Sequence, residues 1–158
     1  MTKTEMNYDN LRDDLITAAF YVVDFLPRQV PADGGGQFFA VERYYMKKDR
    51  LKTLYRHFAR ILLKLNCYYD FIVGTDETWM AELSPKELHR KVLRCADGGD
   101  LQILLPSENA LVTLIGGDLN MTVFNPTREI LNVLSPLAAA ESVFLWQPPQ
   151  NKKDGGLT

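Results

Sequence analysis

The sequence contains few of the residues on which metal centres and disulfide scaffolds depend. Its 158 residues include only two histidines, His57 and His89, and two cysteines, Cys67 and Cys95. A structural metal site needs several such ligands at short spacing, and a disulfide framework needs more cysteines. We therefore expect no metal centre and no cofactor, and we expect both thiols to be free and buried among their apolar neighbours.

Long hydrophobic runs and catalytic motifs are also missing. Charged residues interrupt every apolar stretch before it reaches the roughly 18 residues that a membrane-spanning helix needs. The polar segment 1–10 does not resemble a signal peptide, and no nucleophile elbow of the G-x-S-x-G type is present. These absences favour a non-enzymatic, cytoplasmic protein that does not enter the membrane.

The most informative feature that is present is a basic helix, predicted over residues 47–66. Apolar residues recur at helical spacing on one face, and basic residues recur every four positions on another. Residues 47–64 contain seven basic residues and one acidic residue, so this segment carries +6, whereas the rest of the chain carries −8. Like charges four residues apart on a helix repel each other slightly. Such a row is therefore either screened by water or placed opposite a negatively charged partner.

The basic row predicts a surface that binds an acidic partner, such as an acidic protein. Its expected anchors are Lys52, Arg56 and Arg60, and reversing their charges is expected to abolish binding and leave the fold intact. A neighbouring helix that packs alongside would extend the patch, and Tyr44 and Tyr45 would be its aromatic neighbours. The complete set of predicted partner-binding residues is Lys48, Lys52, Arg56, Arg60, Arg90, Arg94, Tyr44 and Tyr45.

Helical spacing of apolar residues predicts three further helices, over residues 9–26, 84–95 and 126–140. The clearest boundary is a capping box, in which the side chains of Ser84 and Glu87 hydrogen-bond each other's backbone N–H groups. Asp49 is expected to cap the basic helix. Pro136 is expected to break or kink the last helix.

Runs of β-branched and aromatic residues predict strands over residues 37–46, 67–73, 79–83, 101–105, 110–115, 119–124 and 143–146. Residues 37–46 also fit helical spacing, so an early start of the basic helix is the alternative there. The strands between 101 and 124 are joined by short turns and predict a three-stranded antiparallel meander. The glycine-rich loop 33–36 would follow a helix and precede a strand, which is the wrong order for a phosphate-binding loop.

Together these elements predict one α+β domain over residues 1–147, followed by a disordered polar tail over residues 148–158. The sheet is expected to be mostly antiparallel, with three or four helices packed chiefly on one face. An exposed edge of the meander or of the aromatic strand could pair across a two-fold axis, so a homodimer is a further alternative.

Two other functions are alternatives to the binding of an acidic partner. One is a small-molecule-binding protein or hydrolytic enzyme with a pocket beside the sheet, using an acid such as Asp70 and a histidine. Asp24 is a second acid with apolar neighbours, a setting that can raise a carboxyl pKa, although both acids are expected to point into solvent. The other alternative, nucleic-acid binding, is disfavoured because the chain is acidic overall.

Overall fold

A single seven-stranded sheet organises the fold. The computed structural model describes residues 3–33, 35–75 and 78–150. Its strands are β1 (Phe20–Asp24), β2 (Ile72–Thr75), β3 (Thr78–Ala81), β4 (Leu101–Leu105), β5 (Ala110–Leu114), β6 (Asn120–Phe124) and β7 (Phe144–Trp146). They lie in the order β3-β2-β4-β5-β6-β1-β7, and each strand is antiparallel to its neighbours.

Helices cover both faces of this sheet. In the described part of the chain they are α1 (Lys3–Leu15), α2 (Phe38–Tyr45), α3 (Lys48–Leu65), α4 (Pro85–Arg94) and α5 (Arg128–Ala140). α3 packs against both α4 and α5, and the three form one layer on the sheet. α1 packs on the opposite face. The predicted α+β class, with a mostly antiparallel sheet and helices chiefly on one face, is confirmed.

The main core lies between the sheet and the layer of α3, α4 and α5. Alternate residues of a strand point to opposite faces, so Ile103, Val112 and Val123 on three neighbouring strands face the same side. They belong to one apolar cluster with Tyr55 and Phe58 of α3. None of these five residues is more than 1% exposed, so the apolar stripe of α3 is the centre of the core.

A smaller apolar cluster lies on the opposite face of the sheet. Leu104 and Leu111 are opposite each other in register and pack with Leu15 of α1. The indole N–H of Trp79 donates to the Asp9 carboxylate at 2.8 Å, which ties α1 to the edge strand β3. α1 therefore covers the side of this face that lies nearer to β3.

Several elements form where local sequence signals predict them. α3 matches the predicted basic helix closely, and β4, β5 and β6 form the predicted meander. Ser84 Oγ accepts a hydrogen bond from the Glu87 N–H at 3.1 Å, which begins α4 at Pro85. The Glu87 carboxylate does not return this bond to Ser84, because it pairs with Arg90 and Lys91 instead.

The predicted helix over residues 9–26 is wrong beyond Leu15. Its second half contains β1, which pairs with β6 on one side and with β7 on the other. Val22 fits helical spacing, but the segment is rich in β-branched and aromatic residues. Pairing on both sides also satisfies the backbone N–H and C=O groups of this buried segment.

The segment 37–46 contains the helix α2 (Phe38–Tyr45) instead of the predicted strand, so the alternative was correct in expecting a helix but wrong in expecting an early start of the basic helix. α2 is nevertheless separate from α3, because Lys47 between them has an extended backbone and is the N-cap of α3. Asp49 lies in the first turn of α3 and is not its cap. Since β1 precedes the glycine-rich loop, the order is strand, loop and helix, contrary to the prediction; Gly34 of this loop lies outside the described residues.

Smaller predictions also fail. The strand predicted over 67–73 begins only at Ile72, because the chain after α3 continues in turns. Cys67 is exposed, whereas Cys95 is buried, and both are free. α5 continues through Pro136 without a break, since buried Leu134 and Ala138 hold both halves of the helix on the sheet.

The ends of the sheet bear on two further predictions. The meander strands are internal, because β4 also pairs with β2 and β6 also pairs with β1, so no edge of the meander is available for a homodimer. The edge strands are β3 and β7. In the predicted tail, Gln150 Oε1 accepts a hydrogen bond from the Phe20 N–H at 2.9 Å, and residues 151–158 lie outside the described residues.

Candidate functional site

α3 presents its basic row to solvent. Its apolar stripe, which includes Leu54 and Phe58, is at most 7% exposed and fixes the rotation of the helix. Lys48 and Arg56 on the other side are exposed, and Lys52 is partly exposed. Within residues 3–33, 35–75 and 78–150, none of these three cations has an ion-pair partner within 4.0 Å. At 1.5 Å per residue, the row from Lys48 to Arg56 is about 12 Å long.

The far end of the basic row is engaged inside the protein. Glu141, which follows α5, is 8% exposed. Its Oε1 accepts a hydrogen bond from Arg60 Nε at 2.9 Å and lies 2.8 Å from His57 Nδ1, and its Oε2 lies 4.0 Å from Lys64 Nζ. Burial raises the pKa of Glu141, but the hydrogen bonds and charges of His57 and Arg60 outweigh it and lower the pKa below its usual value. Arg60 therefore joins α3 to α5, and only part of its guanidinium is left for a partner.

α4 lies beside α3, as an extended basic patch requires. Arg90 is paired with Glu87 one turn earlier, and Lys91 Nζ lies 3.7 Å from the same carboxylate. The hydrogen bond from Arg90 is the main reason that the pKa of Glu87 is lowered. Arg94 is exposed and has no acidic partner within 4.0 Å among the described side chains. Of the two predicted α4 residues, Arg94 is thus the one whose charge is not already neutralised.

Tyr44 and Tyr45 lie on α2, directly before the basic row. Tyr44 is 50% exposed, and the Arg50 guanidinium stacks on its ring at 3.7 Å from the centroid. Tyr45 is 38% exposed and packs against Phe25 with ring centroids 5.3 Å apart. Phe39 on the same helix is 72% exposed, and α2 has no buried residue. An exposed aromatic surface and an exposed basic row are therefore continuous along the chain.

Sequence reasoning missed a cleft on the face of the sheet opposite α3. It has a volume of about 510 Å³ and lies between the ends of β1, β6 and β7 and the segment that contains α2. Asp24 lines this cleft and is 9% exposed, so the expectation that it points into solvent is wrong. Burial raises the pKa of Asp24, and this effect exceeds the opposing hydrogen bonds from the backbone N–H groups of Phe25 and Leu26. The only signal in the sequence was an acid within an apolar segment.

The residues of the predicted acid–histidine pocket do not come together. Asp70 is exposed, as expected, and lines a separate cavity of about 460 Å³ beside β2. Neither histidine is among the residues that line that cavity, and His57 contacts Glu141 instead. Burial also raises the pKa of the Cys95 thiol to about 12, so this cysteine is a poor nucleophile near neutral pH.

Metal sites and membrane-spanning helices are absent from the part of the chain that the structure describes. The described residues contain no group of three His, Cys, Asp or Glu side chains placed to hold a metal ion. No helix among them combines the length and hydrophobicity that crossing a membrane demands. Comparison of the chain with protein-family models, with curated proteins and with solved structures finds no match.

Proposed function

We propose that this protein is a non-enzymatic binding module that recognises an acidic protein segment through the basic row of α3 and the aromatic surface of α2. The observation that carries the proposal is the set of three neighbouring cations, Lys48, Lys52 and Arg56, which have no acidic partner within 4.0 Å among the described residues. A chain with excess acid elsewhere could have neutralised these charges, as it does for Arg60.

The aromatic surface adds the second part of the recognition. Phe39 and Tyr44 expose large ring areas on the helix that precedes the row, and Arg50 already stacks on Tyr44. Interface hot spots are enriched in aromatic residues and arginine. A partner segment that alternates carboxylates with apolar side chains would satisfy both parts at once.

The charge balance favours an acidic protein over a nucleic acid. Outside residues 47–64 the chain carries −8, which would repel a long phosphate backbone that extends beyond the row. A short acidic segment can contact all three cations, because Lys48 and Arg56 are only about 12 Å apart along the helix. A cytoplasmic location belongs to the same proposal, since both cysteines are free and one is exposed.

The proposal is tested with labelled peptides and fluorescence anisotropy. The probe is an amphipathic peptide of Glu, Asp, Leu and Phe, with a Lys-for-Glu counterpart and a short DNA duplex for comparison. The test variant is Lys48→Glu/Lys52→Glu/Arg56→Glu. Arg60 is left unchanged because Arg60→Glu would place a second carboxylate beside Glu141, and we expect that change to destabilise the fold. The matched control is Arg128→Glu, an exposed arginine in the first turn of α5.

We expect the acidic peptide to bind the wild type and the Arg128→Glu protein equally. The triple variant should bind at least about tenfold more weakly, since exposed ion pairs contribute roughly 0.2–1 kcal/mol each and reversal adds repulsion. Equal binding by the triple variant would contradict the proposal. Preferential binding of the duplex, with a steep loss of affinity in salt, would support nucleic-acid recognition instead.

A further inference from the structure

The cleft beside β1 has the dimensions of a small-molecule site. In register, Val22 lies opposite Trp146 and Asp24 lies opposite Asn120, so these four side chains form one floor on the face away from α3. Phe38, Glu42 and Met46, spaced four residues apart on α2 and its C-cap, form the facing wall. The resulting volume of about 510 Å³ is within the roughly 300–1,000 Å³ of typical ligand pockets.

The walls of this cleft are largely apolar and aromatic. Rings of Phe25, Phe38 and Trp146 surround it, with Leu26 and Met46 between them. α2 forms one wall although none of its residues is buried, so this helix does not fill the space against the sheet. An apolar body can therefore enter the cleft without displacing a packed core.

Charge in the cleft is predominantly negative. Asp24, Glu42 and Asp118 face the cavity, and Arg28 is the one cationic residue in its lining. Asp24 is the most deeply placed of these acids, and no described cation lies within 4.0 Å of it. Its hydrogen bonds come from neutral donors, chiefly the Phe25 N–H, which donates to Oδ1 at 2.8 Å. Burying a carboxylate without a counter-ion is costly, so the site lacks a positive charge that a ligand can supply.

The indole N–H of Trp146, beside Asp24, is buried without a well-formed hydrogen bond. This N–H has no contact with water and no hydrogen-bond partner that meets full geometry among the described atoms. It is close enough to the Asp24 carboxyl to lower the pKa of that group. The Asp24 carboxylate and the Trp146 indole N–H thus lie next to each other at the floor of the cleft.

We infer that this cleft binds an organic amine, a ligand with one ammonium group on an aromatic or aliphatic body. The ammonium would pair with Asp24, with Glu42 and Asp118 adding negative potential, and the body would lie against Phe38 and Trp146, where cation–π attraction adds to apolar contact. A metal ion is a poorer match for these acids, since no three acidic, His or Cys side chains in the described chain converge as ligands.

The inference is tested by isothermal titration calorimetry with three probes of nearly equal shape. Tryptamine carries the ammonium group, tryptophol replaces it with a hydroxyl, and indole-3-acetate replaces it with a carboxylate. The proteins are the wild type, Asp24→Asn, Glu42→Gln and the control Asp70→Asn, which makes the same change at an exposed acid outside the cleft. Glu42 lies on a helix with no buried residue, so Glu42→Gln should fold normally. This variant therefore reports on the site even if Asp24→Asn fails to fold.

Tryptamine should bind the wild type and Asp70→Asn equally, and both more tightly than tryptophol, with no binding of indole-3-acetate. Asp24→Asn should weaken tryptamine binding at least about tenfold, as expected for loss of a hydrogen bond to a charged group, and Glu42→Gln should weaken it by a smaller factor. The affinity for tryptamine should fall as the pH is lowered, because Asp24 then takes up a proton and no longer pairs with the ammonium group. The other charged groups that line the cleft are Glu42, Asp118 and Arg28. Tryptophol binding as tightly as tryptamine, unchanged affinity in the Asp24 and Glu42 variants, or no tryptamine binding at millimolar concentration would each overturn the inference.

Discussion

Replacing Glu141 with glutamine should destabilise the protein, because the Glu141 carboxylate is buried and is held by two side chains of α3. The buried carboxylate accepts a hydrogen bond from Arg60 Nε at 2.9 Å and lies 2.8 Å from His57 Nδ1. The substitution removes the negative charge that strengthens these two contacts between α3 and the end of α5. Hydrogen bonds to charged groups contribute about 1.5–3 kcal/mol and neutral ones about 0.5–1.5 kcal/mol. The difference is about 1 kcal/mol for each contact.

Solvent exposure of Arg60 and His57 reduces the expected loss of stability. The side chains of Arg60 and His57 are 45% and 32% exposed, so water replaces part of each lost contact. We therefore expect Glu141→Gln to lower the free energy of unfolding by about 1–2 kcal/mol, which for a chain of this size lowers Tm by roughly 2–8 °C. Because the pKa of Glu141 is lowered in the folded protein, its contribution is present at neutral pH and is lost as the pH falls through that pKa.

Urea denaturation at neutral and acidic pH, followed by circular dichroism, measures both effects. The matched control is Glu129→Gln, an exposed glutamate at the start of α5, which should change stability by less than about 0.5 kcal/mol. The reasoning is refuted if Glu141→Gln is as stable as Glu129→Gln at neutral pH. It is also refuted if the difference between the two variants does not shrink on acidification.

Two further changes test the fold itself. Asp24→Asn should be at least as stable as the wild type at neutral pH, because the raised pKa of Asp24 means that the folded protein loses stability as this carboxyl ionises. Thermal melts at several pH values should show that the advantage of the variant disappears under acidic conditions, where Asp24 is protonated in the wild type as well. An Asp24→Asn protein less stable than Asp70→Asn at neutral pH would contradict this prediction. Gly116→Ala should cost about 1–3 kcal/mol, since an added Cβ would lie 2.3 Å from the backbone carbonyl carbon of Gly98. Gly36→Ala, where no atom lies within 4 Å of the new Cβ, is its control, and equal melting temperatures for the two would count against the packing described here.

Elements with a strong local pattern are those that sequence reasoning located correctly. The apolar stripe of α3 and the capping of α4 by Ser84 depend on residues within a few positions of each other. In the same way, the alternation of apolar and polar residues along the last meander strand predicts that Leu119, Met121 and Val123 are buried, as they are. Such signals survive folding because tertiary contacts reinforce them.

β1 and α2 could not be assigned in this way. Val22 is compatible with a helix or a strand. The strand forms because Val22 pairs with Thr122 on one side and with Trp146 on the other, and both partners lie about a hundred positions or more further along the chain. Residues 37–46 fit both periods as well. Their helical form leaves Phe39 and Tyr44 exposed, a result that no local pattern of apolar residues predicts.

The candidate surfaces divide along the same line. The charges and order of Lys48, Lys52 and Arg56 are readable in the sequence, because their neighbours fix which side of one helix they occupy. The engagement of Arg60 by Glu141 joins residues 81 positions apart, and nothing near either residue indicates it.

By itself the sequence determined the amphipathic helix, the meander and the concentration of positive charge, since these follow from periodicity and composition within short segments. Only the tertiary structure decided which of those charges stay free, which strand closes the sheet beside β7, and that Asp24 lies at the floor of a cleft. These properties arise from contacts between distant segments, whose free energies depend on burial and pairing in three dimensions and leave no pattern along the chain.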